Sequence, residues 1–229
     1  MNLETIKINK TLIKDIFIES WRGKTIDRIF LNSSLRSIEL SGDILDLGSG
    51  SKKNSYHRFI KYKKPYTIKF TDLYKNTDDP DIIKLDLETS FTIADASFEA
   101  ITCFNVLEHI YNHQSLVNES SRVLKNNGLF VGSVPFLVNY HGDPNDYWRY
   151  TWQSLENIFV KANMSSEKII VLATGPLMAS FLQIEFMIPK FIKPFFILWD
   201  LYLDSILVKW KKFLKHKHVL GYLFVFKKN

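Results

Sequence analysis

The chain of 229 residues holds a single cysteine, Cys103. One thiol excludes an intrachain disulfide framework and any zinc site built from several cysteines. Such usage fits a reducing compartment. No uninterrupted apolar run reaches the ~18–20 residues needed to span a bilayer. The most apolar region, after Gly175, is broken by Glu185, Lys190, Lys193, Asp200 and Asp204. The first ten residues carry charge throughout and lack an apolar segment of signal type, so a secretory leader is not expected. There is no internal repeat and no low-complexity linker. The glycine turn Gly48-Ser49-Gly50 is followed by Ser51-Lys52-Lys53 and so lacks the third glycine of a dinucleotide fingerprint. That argues against a pyrophosphate-binding NAD site.

What is present is a globular composition, 46% apolar and 24% charged. A core of this size needs no disulfide or structural metal. The net charge of +6 is unevenly placed. From Pro176 to the last residue there are nine lysines against three acidic residues, while the preceding 175 residues balance to zero. The same last quarter holds eight of the 18 phenylalanines. A basic, aromatic tail on a neutral body needs its own explanation.

The first forty residues read as helical, with Ile13, Ile16 and Phe17, then Ile26, Ile29, Phe30 and Leu35, at helix spacing. After Gly42-Asp43 short apolar runs alternate with helical stretches. Strands are expected at Ile44 to Leu47, Tyr66 to Phe70, Ile82 to Leu87, Ala100 to Phe104, Leu129 to Val134, Lys168 to Leu172 and Leu220 to Phe226. Helices are expected around Leu116 to Leu124 and from Trp152 to Ala162, the second capped by Thr151. This rhythm implies βαβ units in a doubly wound, seven-stranded, mostly parallel α/β sheet. One domain is expected: N-terminal helices over 1–41, a core over 42–174, a helical insertion over 175–217 and a final strand over 218–229.

Asp46-Leu47-Gly48-Ser49-Gly50 ends the first strand in a nucleotide-type turn, where glycine permits close backbone approach. Asp72 ends the second strand, where a carboxylate can accept hydrogen bonds from both hydroxyls of a ribose. Asp86 ends the third. Together with "ADASFEAITCFNVLEHI" and "SRVLKNNGLFVGSVPF", the stretch "ILDLGSG" resembles, in order and spacing, the motifs of class I S-adenosylmethionine-dependent methyltransferases of the methyltransferase-11 type. The likeness runs from about Gly42 to Ala162. It implies a Rossmann-like methyltransferase fold, S-adenosyl-L-methionine as cofactor and methyl transfer as the reaction. It also implies cofactor contacts at Asp46, Leu47, Gly48, Ser49, Gly50, Asp72, Leu73, Asp86, Leu87, Phe104 and Asn105. His109 belongs to the same motif, either as a site residue or as a cap of the next helix.

The loop "NYHGDPNDYWRYT" follows the fifth strand and so overlies the cofactor pocket. His141 is the candidate general base, because an ordinary imidazole titrates near ~6.5. Asp143 or Asp146 would orient it. Tyr140, Asp146, Tyr147 and Arg149 are candidate substrate contacts, Arg149 as a clamp on an anionic group. The alternative is a structural Asp146–Arg149 pair with packed aromatics. "HGDPNDYWRYT" is similar to a stretch in bacterial methyltransferases of surface-polysaccharide gene clusters. That implies a glycan or lipid-linked sugar acceptor methylated on oxygen. A lipid-soluble small molecule such as a quinone precursor is the alternative substrate, and a membrane-associated binding protein without catalysis the alternative class. No His and carboxylate spacing marks a metal site, so none is expected.

The segment 176–217 has three readings: contact with an anionic membrane surface, a lid or added core, or an oligomer interface. An amphipathic helix from Phe195 to Phe213 would present Trp199, Tyr202 and Trp210. A nucleic-acid partner is not expected, since the body is neutral. The expected location is the cytoplasm, with peripheral contact at the inner membrane face.

Overall fold

A computed structural model describes residues 3–50, 56–74, 78–211 and 217–229. In chain order these form β1 (Glu4–Thr5), α1 (Lys10–Trp21), α2 (Ile26–Leu35), β2 (Glu39–Asp46), β3 (Lys61–Asp72), β4 (Ile82–Lys84) and β5 (Phe98–Phe104). There follow α3 (His113–Val123), β6 (Leu124–Pro135), α4 (Trp152–Lys161), β7 (Met164–Thr174), α5 (Pro176–Ile184), α6 (Lys193–Trp210) and β8 (Val219–Lys228). The strands make one sheet in the order β1-β7-β8-β6-β5-β2-β3-β4. All neighbouring pairs are parallel except β6–β8 and β7–β8.

Two hydrophobic cores cover the two faces. Leu12, Ile16, Ile26, Phe30, Met178 and Ile197 bring α1, α2, α5 and α6 onto one face. Leu116, Val117, Leu155 and Phe159 bring α3 and α4 onto the other. Side chains alternate between these cores along the strands, as Ile44 and Leu45 do in β2. Helix starts follow ordinary capping chemistry. The side chains of Asn9, Asn112 and Thr151 accept amides from Leu12, Ser115 and Ser154.

The doubly wound sheet matches the sequence reading, with differences at the edges. An eighth strand, β1, pairs Glu4 and Thr5 with Ile170 and Val171 of β7. Two residues are too few to show alternation, and the open edge of β7 supplies the pairing. The strand expected at Ile44 begins at Glu39. Gly42 continues the strand rather than breaking before it; it takes φ +74°, and the register shift after Ser41 comes from two extra residues, Lys64 and Pro65, on β3. Strands β3 and β6 likewise run longer than expected, while β4 stops at Lys84.

The insertion packs beside the N-terminal helices. Glu185 and Lys193 form a buried ion pair at 2.5 Å. Glu185 also accepts the Ile26 amide at 3.0 Å, which satisfies the N-terminus of α2. Lys193 donates to the Lys24 carbonyl at 2.8 Å. Asp204 accepts the amides of Leu177 and Met178 at the start of α5. A Cβ at Gly175 would lie 2.1 Å from the Asp204 carboxylate, so glycine is required there. A helix forms here, but α6 runs Lys193–Trp210 and is apolar on its outer side too, rather than amphipathic; Phe213 lies outside the described residues. Its outer face leaves Phe195, Trp199, Tyr202, Ile206 and Trp210 exposed. Among the described residues no helix is long and apolar enough to cross a membrane.

Candidate active site

Strands β2 and β5 lie side by side, and the chain departs from them in opposite directions, to β3 and to β6. A crevice therefore opens beyond their carboxyl ends. Gly48 takes φ +71° there, and a Cβ on it would stand 2.8 Å from Val106. Its amide donates to the Thr71 hydroxyl at 2.9 Å, and the Gly50 amide to the Thr71 carbonyl at 3.2 Å. Gly50 has φ +65° and faces the Asp72 carboxylate, 3.5 Å from the position of a Cβ.

These residues wall a cleft of about 370 Å³, within the range of small-molecule sites. Of the expected cofactor residues, Gly48, Gly50, Asp72, Leu73, Asp86, Leu87 and Asn105 line it. Asp72 accepts the Tyr74 amide on one oxygen, and Asp86 accepts that of Glu88. Among the described residues their second oxygens accept no hydrogen bond. Asn105 is held at φ +53°, with its side-chain oxygen accepting from Ser133. His109, Asp143 and Asn145 close the far wall.

Four expected cofactor residues do not reach the cleft. Asp46 is buried, accepting from Thr102 Oγ1 at 2.7 Å and pairing with His57 Nε2 at 2.8 Å. Its carboxylate is committed to joining β2, β5 and the segment after the turn. Leu47 belongs to the core under α3 and α4. Phe104 packs against Tyr56 at 5.0 Å between ring centroids. The Ser49 hydroxyl is buried off the cleft; Ser51 to Lys53 lie outside the described residues. Thr71, Val106 and Asn145 line the cleft without having been expected. Thr71 directly precedes Asp72 and Val106 directly follows Asn105, so position next to a motif residue was the available signal.

The loop after β6 is fastened to the turn at Leu107–His109. The Glu108 carbonyl accepts the amides of Tyr147 and Trp148, and the Leu107 carbonyl accepts the Tyr150 hydroxyl at 3.0 Å. Asp146 and Arg149 form a two-pronged pair whose hydrogen bonds hold the Asp146 carboxyl down at about 2. Arg149 also donates to the carbonyls of Val138, Asn139 and Trp148. With its donors occupied, Arg149 staples the loop, and neither it nor Asp146 faces the cleft. Tyr140 and Tyr147 are exposed. None of the four expected substrate contacts lines the cleft.

Glu108 is fully buried, and neither of its carboxylate oxygens has a hydrogen-bond donor among the described residues. Oε1 lies 3.7 Å from His141 Nε2 and 3.9 Å from His109 Nε2. The imidazoles meet edge to face at 5.2 Å. The Glu108 carboxylate beside it pushes His141 up to about 9, above the ordinary ~6.5 on which the expectation of a general base rests. The carboxylates beside it are Glu108 and Asp146, whereas Asp143 sits on the cleft wall. His109 does not cap α3, which Asn112 does.

Residues 45–132 match the family model described as a methyltransferase domain. Over that stretch the chain resembles class I S-adenosylmethionine-dependent methyltransferases. Among curated proteins none matches its sequence. Similar solved structures include an S-adenosylmethionine-dependent methyltransferase from Mesorhizobium loti, 13% identical with a TM-score of 0.55, covering 91% of this chain and 100% of that one. A Haloferax volcanii complex of a methyltransferase with its activator is 13% identical with a TM-score of 0.54, covering 96% and 99%. The [4+2]-cyclase SpnF is 13% identical with a TM-score of 0.51, covering 88% and 81%. At this identity the likeness is one of fold, and the cyclase is a reminder that fold alone does not set the chemistry. The residues of the cleft fit the methyltransferase cofactor: the bare backbone of Gly48 and Gly50 on one wall, and the carboxylates of Asp72 and Asp86, each with an oxygen that accepts no hydrogen bond among the described residues.

Proposed function

We propose that the methyltransferase acts on an oxygen of a glycan or lipid-linked sugar, and that the cofactor lies along the cleft from Gly48 to Asn145. In this reading the Gly48–Gly50 backbone admits the methionine end, Asp72 accepts from the ribose hydroxyls, and Asp86 with the Leu87 backbone meets the adenine. Asn105 stands at the reacting end. When bound, S-adenosylmethionine supplies a methyl group already activated on a sulfonium. The chain's own task is to align the acceptor oxygen and keep water out, and positioning alone is worth up to about 7–11 kcal/mol. The acceptor enters past Asp143 and Asn145, and its hydroxyl proton must be removed for reaction. We place Asp143 beside that hydroxyl.

The observation that carries the substrate reading is the exposed row Phe195, Trp199, Tyr202, Ile206 and Trp210 on α6, in a segment of high lysine content. Aromatic and basic residues together suit an anionic membrane surface. This supports an acceptor carried on a membrane and a peripheral position for the enzyme. Sedimentation with anionic vesicles at low salt tests it, alongside methyl transfer from labelled cofactor to lipid-linked sugars and to quinone precursors. Vesicle binding with sugar labelling supports the reading; labelling of the quinone precursor alone replaces it.

The lid reading of the insertion fares less well. No described residue of α5 or α6 lines the cleft. Its buried half is added core, through Met178, Phe181, Leu182 and Ile197.

A further inference from the structure

We propose that Glu108, His109 and His141 form a binding site for a divalent first-row transition cation of the zinc type, set in the wall of the methyltransferase cleft. The cluster joins a turn after β5 to the loop after β6, so that residues 32 positions apart offer ligand atoms within 4.8 Å of one another.

Glu108 is the first ground. Its side chain has no solvent exposure, and both oxygens lack a donor. A buried carboxylate without a hydrogen-bond donor costs several kcal/mol. Nearly all such groups are satisfied in folded proteins, so an unmet one needs an explanation, and a bound cation supplies it.

The two histidines are the second ground. His141 Nδ1 meets the Asn139 carbonyl at 3.0 Å, and His109 Nδ1 meets the Asn145 carbonyl at 2.5 Å. A carbonyl only accepts, so each Nδ1 carries the hydrogen. Both Nε2 atoms are left facing the same Glu108 oxygen. Lone pairs facing a carboxylate repel, so either a proton on Nε2 or a cation must lie between; at 3.7 and 3.9 Å the atoms stand too far apart for a hydrogen bond and leave room for the cation. Metal-bound histidines are held in this way, with the other ring nitrogen donating to a carbonyl.

Distances agree. Ligand atoms around a tetrahedral zinc ion stand about 3.3 Å apart, given zinc–ligand bonds of ~2.0–2.2 Å. The Glu108–His141 and Glu108–His109 separations of 3.7 and 3.9 Å need to close by only a few tenths of an ångström. Two imidazoles and one carboxylate favour zinc and its neighbours over magnesium or calcium, which take oxygen ligands. His141 is partly exposed, which gives the ion a path in, and the fourth position is open to water or an acceptor group. Because His109 also lines the cleft, a cation here would stand beside the acceptor entrance and favour the ionised form of a hydroxyl. That last step rests on the proposed oxygen acceptor; the binding site does not.

The test uses the full chain, stripped with a chelator, then titrated with zinc chloride by calorimetry and with cobalt(II) chloride by visible absorption, without cofactor. One equivalent should bind in the micromolar range or tighter, with tetrahedral cobalt bands between 500 and 700 nm (on the order of the usual range for N and O ligands). His141→Ala and Glu108→Gln should each weaken binding at least about 100-fold. If Glu108→Gln does not fold, His109→Ala with His141→Ala decides. Wild-type protein that binds neither ion, or binding unchanged in both histidine variants, overturns the site. S-adenosylmethionine titration of the same samples reads the cofactor cleft separately.

Discussion

The Gly48 amide donates to the Thr71 hydroxyl at 2.9 Å, and that hydroxyl donates on to the Asp46 carbonyl at 3.2 Å. One side chain thus pins the glycine turn of β2 to the end of β3. Thr71 is buried, so its hydroxyl has no water to fall back on. Thr71→Val should cost about 1–3 kcal/mol through the unmet Gly48 amide and Asp46 carbonyl. Denaturant melting reads the loss, and cofactor affinity should fall with it. Unchanged stability would remove this account of the turn.

Gly48→Ala should be more severe for binding. It forces a side chain into the left-handed region and against Val106. A fall of at least tenfold in S-adenosylmethionine affinity is expected by calorimetry. Gly48→Ala with Val106→Ala should recover part of it by opening the space, though the backbone strain remains.

Arg149→Ala separates a staple from a substrate clamp. Removal leaves Asp146 buried without its cation and frees three carbonyls. Loss of one partner of such a pair costs about 3–5 kcal/mol. The melting temperature should drop by several degrees with cofactor affinity changed little. A raised acceptor KM at unchanged melting temperature would instead restore Arg149 as a substrate contact.

Glu185 and Lys193 are paired with both side chains below a tenth exposed. Glu185→Ala strands the ammonium and the Ile26 amide and should cost about 3–5 kcal/mol. Replacing both residues by methionine should be markedly milder than either single change, because no buried charge is left. A double-mutant cycle by chemical denaturation checks this, and simple additivity would deny the pair its role in docking the insertion.

The sheet was legible because the apolar runs at Ile44, Ala100 and Leu129 are short, β-branched and separated by helical spacing. β1 was not, since two residues carry no period. Gly42 misled because a glycine reads as a break, whereas β2 runs through it and the irregularity lies opposite, at Lys64 and Pro65 of β3. In the cleft, Asp72 was readable from the end of its strand, the two glycines from the turn after β2, and Asp86 from its place two residues past β4. Asp46 also ends its strand, but its side chain turns to Thr102 and His57, a direction set by partners 56 and 11 residues away. Likewise Asp146 and Arg149 look like a ligand clamp in sequence, and only the backbone carbonyls around Arg149 reveal the staple. The Glu108, His109 and His141 cluster has no sequence spacing of its own. It exists because a loop folds back onto a turn.

The central claim is that the cleft beside Gly50 and Asp72 holds the methyl donor. Calorimetric titration of S-adenosylmethionine and its demethylated product into the wild type and Asp72→Ala tests it most directly. The expected result is one-site binding in the micromolar range, weakened about 10- to 100-fold in the variant by the loss of hydrogen bonds to a charged group. Equal affinity in both folded proteins, or no binding by the wild type, would contradict the claim.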